Sequence, residues 1–581
     1  MTIGARLSEN TNLTIGILEA GGFRIGDPLI DVPGLAGEAA GNPLYDWNFD
    51  MVPQTHAAGR VIAIPRGKLL GGSSALNLMA WNRGSSEEYN AWEQIAPGNG
   101  WDWDGLLPFF KKSEDILTVP GDPYPGITPA EARNASEHAS EFEGFTGPVV
   151  ASHNIFYPDP VPAFVKTVNA MNFSTNAQPL SGSTSGVWNT LCSVDRTQGF
   201  RSYAARAYFC DQPTKPNLHI LLGASVAKVV FVNTTLGLSA TQVEFIVNST
   251  THTANAKKEI ILSAGTLKTP QVLELSGIGN ATHLHSLNIE PLVDLPGVGE
   301  NLQEHPYVPA QWQLKPGFLT FDILRNNKTF FTEQFALYNR TGTGLLTDLD
   351  TTVIFSPLQA VVDSEQLVFL ENVFDNDTRA QTLNPLEQLQ FPIQRSWLRN
   401  GVVPDAEIIL WSRGEVNPAI NESYIFMLGG MSHPLSRGSV HINSTNSLIQ
   451  PIIDINFLGQ DYDALFLVNA LKFLFKIAQQ PPLSELIDFQ TDPNPSMMSD
   501  DELLQFVRET VAGGDHEIGT AAMAPREHGG VVDPFLKVYG TTNLRVADAS
   551  IFPLHIGHTQ ATVYAIGEKL STMILASENS S

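Results

Sequence analysis

The chain has 581 residues, 43% of them hydrophobic and only 16% charged, with a formal net charge of −26. That is enough chain to bury a large core in two or more lobes, and it is too apolar for a disordered protein. The acidity disfavours nucleic acid and anionic membrane surfaces as partners, since both call for Lys and Arg patches, and no apolar run approaches the ~18 residues that cross a bilayer.

Residues 4–9 read as the end of a helix. Residues 13–18 alternate and then turn apolar, as a buried strand does. Glu19 closes that strand in front of Ala20-Gly21-Gly22. In dinucleotide-binding folds an acidic residue at such a place accepts hydrogen bonds from the adenosine ribose, about 20 residues after a glycine fingerprint. On its own, a Glu before a Gly-Gly turn is equally an ordinary surface carboxylate. Counting back from Glu19 runs past Met1, so the fingerprint and its strand are expected upstream of the first residue given.

Two further strands are predicted at 225–231 and 258–262, the second ending at Ser263-Ala264-Gly265. Residues 315–404, rich in Asn, Thr and Pro, are expected to form irregular, variable surface elements. Short alternating segments over 427–455 predict antiparallel strands, and 461–480 has helical periodicity. There is no internal repeat.

Cys192 and Cys210 are too few for a structural zinc site. One disulfide and two separate buried thiols both remain open. Asn-x-Ser/Thr sequons begin at Asn12, Asn134, Asn172, Asn233, Asn248, Asn280, Asn327, Asn339, Asn376, Asn421, Asn443 and Asn579. Together with the acidity they point to a secreted glycoprotein. No charged and apolar leader follows Met1, so an export signal is also expected upstream.

The strongest local signal is Arg66-Gly67-Lys68-Leu69-Leu70-Gly71-Gly72-Ser73-Ser74-Ala75-Leu76-Asn77. Paired glycines let backbone amides approach a phosphate or a flat ring, while Ser and Asn add oriented hydrogen bonds. A plain glycine turn has the same local pattern. The run becomes specific when read with Gly265-Thr266-Leu267-Lys268-Thr269-Pro270 and its continuation to Gly279, with Leu295-Pro296-Gly297-Val298-Gly299-Glu300-Asn301-Leu302, with His516-Glu517-Ile518-Gly519-Thr520 and with Val546-Ala547-Asp548-Ala549-Ser550. In that order these segments resemble the glucose-methanol-choline (GMC) oxidoreductases over nearly the whole chain.

The resemblance implies an α/β fold: a Rossmann-like FAD-binding domain joined to a substrate domain on a mostly antiparallel sheet. It implies a division into 1–306, mainly FAD-binding, 307–432, a variable part of the substrate domain, and 433–572, the substrate sheet with the catalytic and flavin-closing segment. By matching positions, Glu19 would hold the ribose and Val226 would meet the adenine through its backbone. Gly71, Gly72, Ser73, Asn77, Leu78 and Ala80 would line the pyrophosphate and flavin. Asp548 and Ala549 would belong to the last FAD loop, with Gln560 at the pyrimidine end of the ring.

His516 aligns with the catalytic histidine of that family and His558 with its second active-site position. Oxidising an alcohol removes a hydroxyl proton and a carbinol hydride; histidine suits the proton, and the flavin takes the hydride at N5. His555 is expected to be a bystander, and His305 carries no catalytic assignment. The expected partners are a small primary or secondary alcohol and oxygen or another electron acceptor, with no metal. Two other readings are a lyase on the same scaffold, similar to hydroxynitrile lyases, and an inactive truncated product that holds no FAD. Asp515 and Leu78 stand where aryl-alcohol oxidases carry aromatic residues, and no Arg precedes His516 as in glucose oxidases, so neither benzylic alcohol nor glucose is supported.

Overall fold

The computed structural model describes residues 1–117, 124–213, 215–380, 383–497 and 499–579. The last two residues of the Asn579 sequon, Ser580 and Ser581, lie outside them. Two large apolar clusters organise the chain, one under the parallel strands and one against a wide antiparallel sheet.

The first strand runs Ile15–Glu19 and lies parallel to Leu218–Leu222, with Glu19 opposite Leu222. A second parallel pair joins Ile260–Leu262 to Leu544–Val546. The strand is shorter than the predicted 258–262, because the Lys258 carbonyl accepts from Asn543 Nδ2 at 2.8 Å instead of entering the ladder. The strand at 225 is longer than predicted. It extends over Ser225–Thr234 because it pairs antiparallel with Gly237–Val247, which in turn pairs with Thr250–Asn255. Helix Thr2–Leu7 is fixed to helix Gln560–Asn579 by Arg6, whose Nε donates to the fully buried Glu568 at 2.8 Å.

The second lobe is a seven-stranded antiparallel sheet. Its strands run in the order Ile487–Asp492, Pro306–Leu314, Tyr424–Met431, Ala406–Trp411, Thr352–Ser356 and Gly186–Asn189, with Ala512–Gly513 added alongside Pro306–Leu314. Helix Asp461–Ala478 covers one face, burying Phe466, Leu467, Leu471 and Leu474 against Ile408, Ile425 and Met427. Burial of that kind is worth about 1.5–3 kcal/mol per large side chain.

Residues 315–404 are more regular than their composition implies. They form helices Asp322–Asn326, Lys328–Thr341, Ser364–Ala380 and Glu387–Asn400, and the wholly buried strand Thr352–Ser356. The Asn residues that suggested irregularity cap helices: Asn327 accepts from Phe330 N at 2.9 Å, and Asn384 accepts from Glu387 N at 2.9 Å. Cys192 and Cys210 are both free thiols, which resolves the open cysteine pairing. Among the described residues, no helix is long and apolar enough to cross a membrane.

Candidate active site

Sheet register brings the histidines together. Pro306 pairs with Gly513 and Tyr307 with Ala512, so the residue before one strand, His305, meets the loop after the other, which carries His516. Their Nδ1 atoms share a hydrogen bond of 3.1 Å. Glu304 fixes the same loop, its carboxyl accepting from Gly514 N at 3.0 Å and from His516 N at 3.0 Å. The turn needs Asp515 in the left-handed region, at φ +60°, which Asp tolerates better than most residues.

His558 approaches from the other side. Its ring centroid lies 4.8 Å from that of His516, with 40° between the planes. Its Nε2 donates to Glu407 Oε1 at 2.8 Å, and the other carboxylate oxygen of Glu407 accepts from Tyr307 Oη at 2.5 Å. Gly430 permits this link. It pairs with Tyr307 on one side and Glu407 on the other, and a Cβ there would lie 2.2 Å from the Tyr307 ring. The buried Nδ1 of His558 has no partner among the described residues, and His516 Nε2 makes no hydrogen bond among them.

Two histidines given no role by sequence sit in the same cluster. His305 and His555 are fully buried and stack with ring centroids 3.6 Å apart. His555 is therefore packed behind the pair and in contact with it through His305. Burial pushes the His516 pKa well below the usual 6.5, and the neighbouring His558, His555 and Arg66 push it further down. Burial, then His555 and His516, does the same to His305. Both rings stay neutral at ordinary pH, leaving a lone pair for proton abstraction. Behind them, burial and then Glu517 and Asp515 raise the Glu304 pKa well above the usual carboxylate range, against the pull of Arg66. Arg66 is ion-paired with Glu517 and lies 3.8 Å from Asp515.

Glu407 and Tyr307 were not legible as site residues. No strand is predicted over 406–411 and an isolated Glu reads as solvent-facing, yet Glu407 is 1% exposed.

The glycine run forms a cradle beside this centre. Gly71 and Gly72 have φ of +109° and +57°. A Cβ on Gly71 would meet the Tyr203 ring at 2.9 Å, whereas one on Gly72 would project into open space, as would one on Gly265. Ser73 Oγ accepts from Gly67 N at 3.1 Å, holding the turn. Asn77 bonds Gln560 through its Nδ2 and accepts from Arg201 at 2.9 Å, and Gln560 Nε2 donates to Ser193 Oγ at 3.1 Å. Leu78 is exposed, and Ala80 opens the short strand paired with Cys192. Asp548 accepts from Gly265 N at 2.9 Å and from Thr269 Oγ1 at 2.6 Å, and it caps the turn that Ala549 begins. Glu19 ends its strand half-buried, accepting from Gly21 N at 2.8 Å, and burial lifts its pKa to about 7. Val226 lies at a bulge in its strand, where the backbone departs from the ladder. Open left-handed glycines, a short polar chain from Asn77 to Ser193 and a carboxylate at the strand end together fit a flavin nucleotide.

A glycine cradle that fits a flavin nucleotide, joined through Arg66–Glu517 and Asn77–Gln560 to the loops that carry two facing imidazoles, is an arrangement that suits a flavin-dependent oxidoreductase. Family models described as GMC oxidoreductase match residues 19–307 and 434–567. A dehydrogenase of Armillaria gallica is 37% identical over 99% of this chain and 91% of its own length. An FAD-dependent oxidoreductase from Chaetomium thermophilum superposes with a TM-score of 0.89 at 29% identity, covering 100% of this chain and 97% of its own. A fungal aryl-alcohol oxidase does so with a TM-score of 0.86 at 28% identity, covering 99% and 97%. The chain belongs to the GMC oxidoreductase family: it is an FAD-dependent oxidoreductase with the α/β flavin domain and antiparallel substrate domain of that fold.

Proposed function

We propose that the protein oxidises a primary or secondary alcohol to the aldehyde or ketone, passing the electrons on to oxygen or another acceptor. The observation that carries this is the pair of imidazoles 4.8 Å apart, one kept neutral and the other held by Glu407. Bound FAD supplies a two-electron acceptor for the carbinol hydride. His516 takes the hydroxyl proton, at the nitrogen not used by His305. His558, clamped to Glu407 through Nε2, sets its ring beside that of His516 and positions the substrate there.

Glu19, Val226, Gly71, Gly72, Ser73, Asn77, Leu78, Ala80, Asp548, Ala549 and Gln560 hold the cofactor in this reading. Residues 1–306, 307–432 and 433–572 are its three functional divisions. The protein is a secreted glycoprotein. In support, every sequon asparagine whose side chain is described is exposed, apart from the half-buried Asn280.

The test is anaerobic mixing of FAD-loaded protein with a panel of aliphatic alcohols. Bleaching of the flavin absorbance, with aldehyde or ketone formed in equal amount, supports oxidation. Turnover of a cyanohydrin with an unbleached flavin assigns the scaffold to lyase chemistry instead.

A further inference from the structure

Away from the redox centre, three side chains from three elements converge at the seam between the lobes. Glu274 lies in the last turn of the buried helix Thr269–Leu275, His283 lies on helix Ala281–Ser286, and His441 ends strand Ser439–His441. One ligand atom of each falls within 4.8 Å of the others. We propose that this is a binding site for a zinc-class divalent transition ion, clamping the flavin lobe to the substrate lobe.

The donor set decides the class of ion. Two imidazoles and a carboxylate suit zinc, nickel or copper, whereas calcium and magnesium demand oxygen ligands in larger number. Ligand atoms around a tetrahedral zinc lie about 3.3 Å apart, given bond lengths of roughly 2.0–2.1 Å. The pair His441 Nδ1 and Glu274 Oε1 already lies at 2.7 Å, so binding exchanges that direct bond for a shared cation. His283, half-buried, closes the remaining gap by a small swing of its ring.

The surroundings hold the ligands in place. Glu274 is fully buried, and its second oxygen accepts from Ile442 N at 2.8 Å, which fixes the carboxylate plane. His283 Nε2 meets the Ile442 carbonyl at 3.0 Å, so a single residue of the substrate lobe orients two ligands. Gly299 makes room for the third: a Cβ there would lie 2.8 Å from Cε1 and Nδ1 of His441. The exposed Glu300, 3.1 Å from His441 Nε2, accepts from the ring nitrogen that faces away from the ion and so helps to orient the imidazole. Glu274 and His283 belong to the matched segment 19–307 and His441 to the segment 434–567, so the ion would tie one to the other.

The experiment is a calorimetric titration of FAD-loaded, chelator-treated full-length protein with Zn²⁺, repeated on His283→Asn and His441→Gln. The wild type is expected to bind one equivalent, with a rise in thermal midpoint, and Kd weakens at least about tenfold in either variant. Co²⁺ in place of Zn²⁺ should give the visible bands of a four- or five-coordinate site in the wild type and lose them in His283→Asn. The four imidazoles of the redox centre are the rival chelator. Binding that is unchanged in both variants but lost in His516→Ala overturns the proposal, and so does a wild-type protein that takes up no zinc at micromolar concentration.

Discussion

Replacing Glu407 by Gln isolates the part of the active site that holds His558. The side chain keeps its length and shape in a position that is 1% exposed, but it exchanges one acceptor oxygen for an NH₂ group. Glu407 now receives two hydrogen bonds, 2.8 Å from His558 Nε2 and 2.5 Å from Tyr307 Oη, and an amide oxygen can keep only one of them well. Losing a hydrogen bond to a charged group in a buried site costs about 1.5–3 kcal/mol. If that cost falls on the orientation of His558 in the transition state, the rate of flavin reduction drops by about tenfold to somewhat over a hundredfold. The flavin content should not change, because Glu407 touches none of the cradle residues. Tyr307→Phe removes only the second bond and leaves His558 clamped, so its loss should be the smaller. The assay is anaerobic stopped-flow reduction of the bound flavin by alcohol, with the ratio of flavin to protein absorbance as control. A Glu407→Gln enzyme reducing its flavin at the wild-type rate refutes the clamp.

Three further outcomes are expected. His433 is buried between Glu88 and Asp405, at 2.9 and 3.1 Å. Burial alone would lower its pKa, but hydrogen bonds and charge from these carboxylates raise it from 6.5 to about 9. Its stabilisation is thus complete below 6.5 and is lost as pH rises through about 9, so wild-type stability should fall across that window more steeply than that of His433→Gln, measured by denaturant titration at each pH. Because the His516 pKa is depressed well below 6.5, the acid limb of kcat/KM should lie below that value, with activity retained where an ordinary imidazole is already protonated. Gly72→Ala places a methyl group in the open cradle at φ +57° and should cost only about 1–2 kcal/mol of stability, while flavin occupancy, read by absorbance, falls clearly.

Much of the fold was readable because its signals are local. The strand ending at Glu19, the strand beginning at Ser225 and the helix Asp461–Ala478 follow from apolar periodicity within a dozen or so residues. What could not be read depends on distant pairing. Glu407 and His558 are far apart in sequence, and only the sheet register that sets Tyr307, Gly430 and Glu407 side by side makes the carboxylate a partner of the histidine. His305 was passed over for the same reason, since its contact with His516 comes from the pairing of Pro306 with Gly513. Residues 315–404 misled through composition: Asn327 and Asn384 cap helices, and Pro392 lies inside one of them.

His516 is the proposed proton acceptor in alcohol oxidation, and single-turnover flavin reduction in His516→Ala tests that role. The variant is expected to keep its FAD, because no cradle residue bonds the ring, and to reduce it about 10²–10⁴-fold more slowly than the wild type. Reduction of the flavin by alcohol at an undiminished rate in that variant would contradict the account.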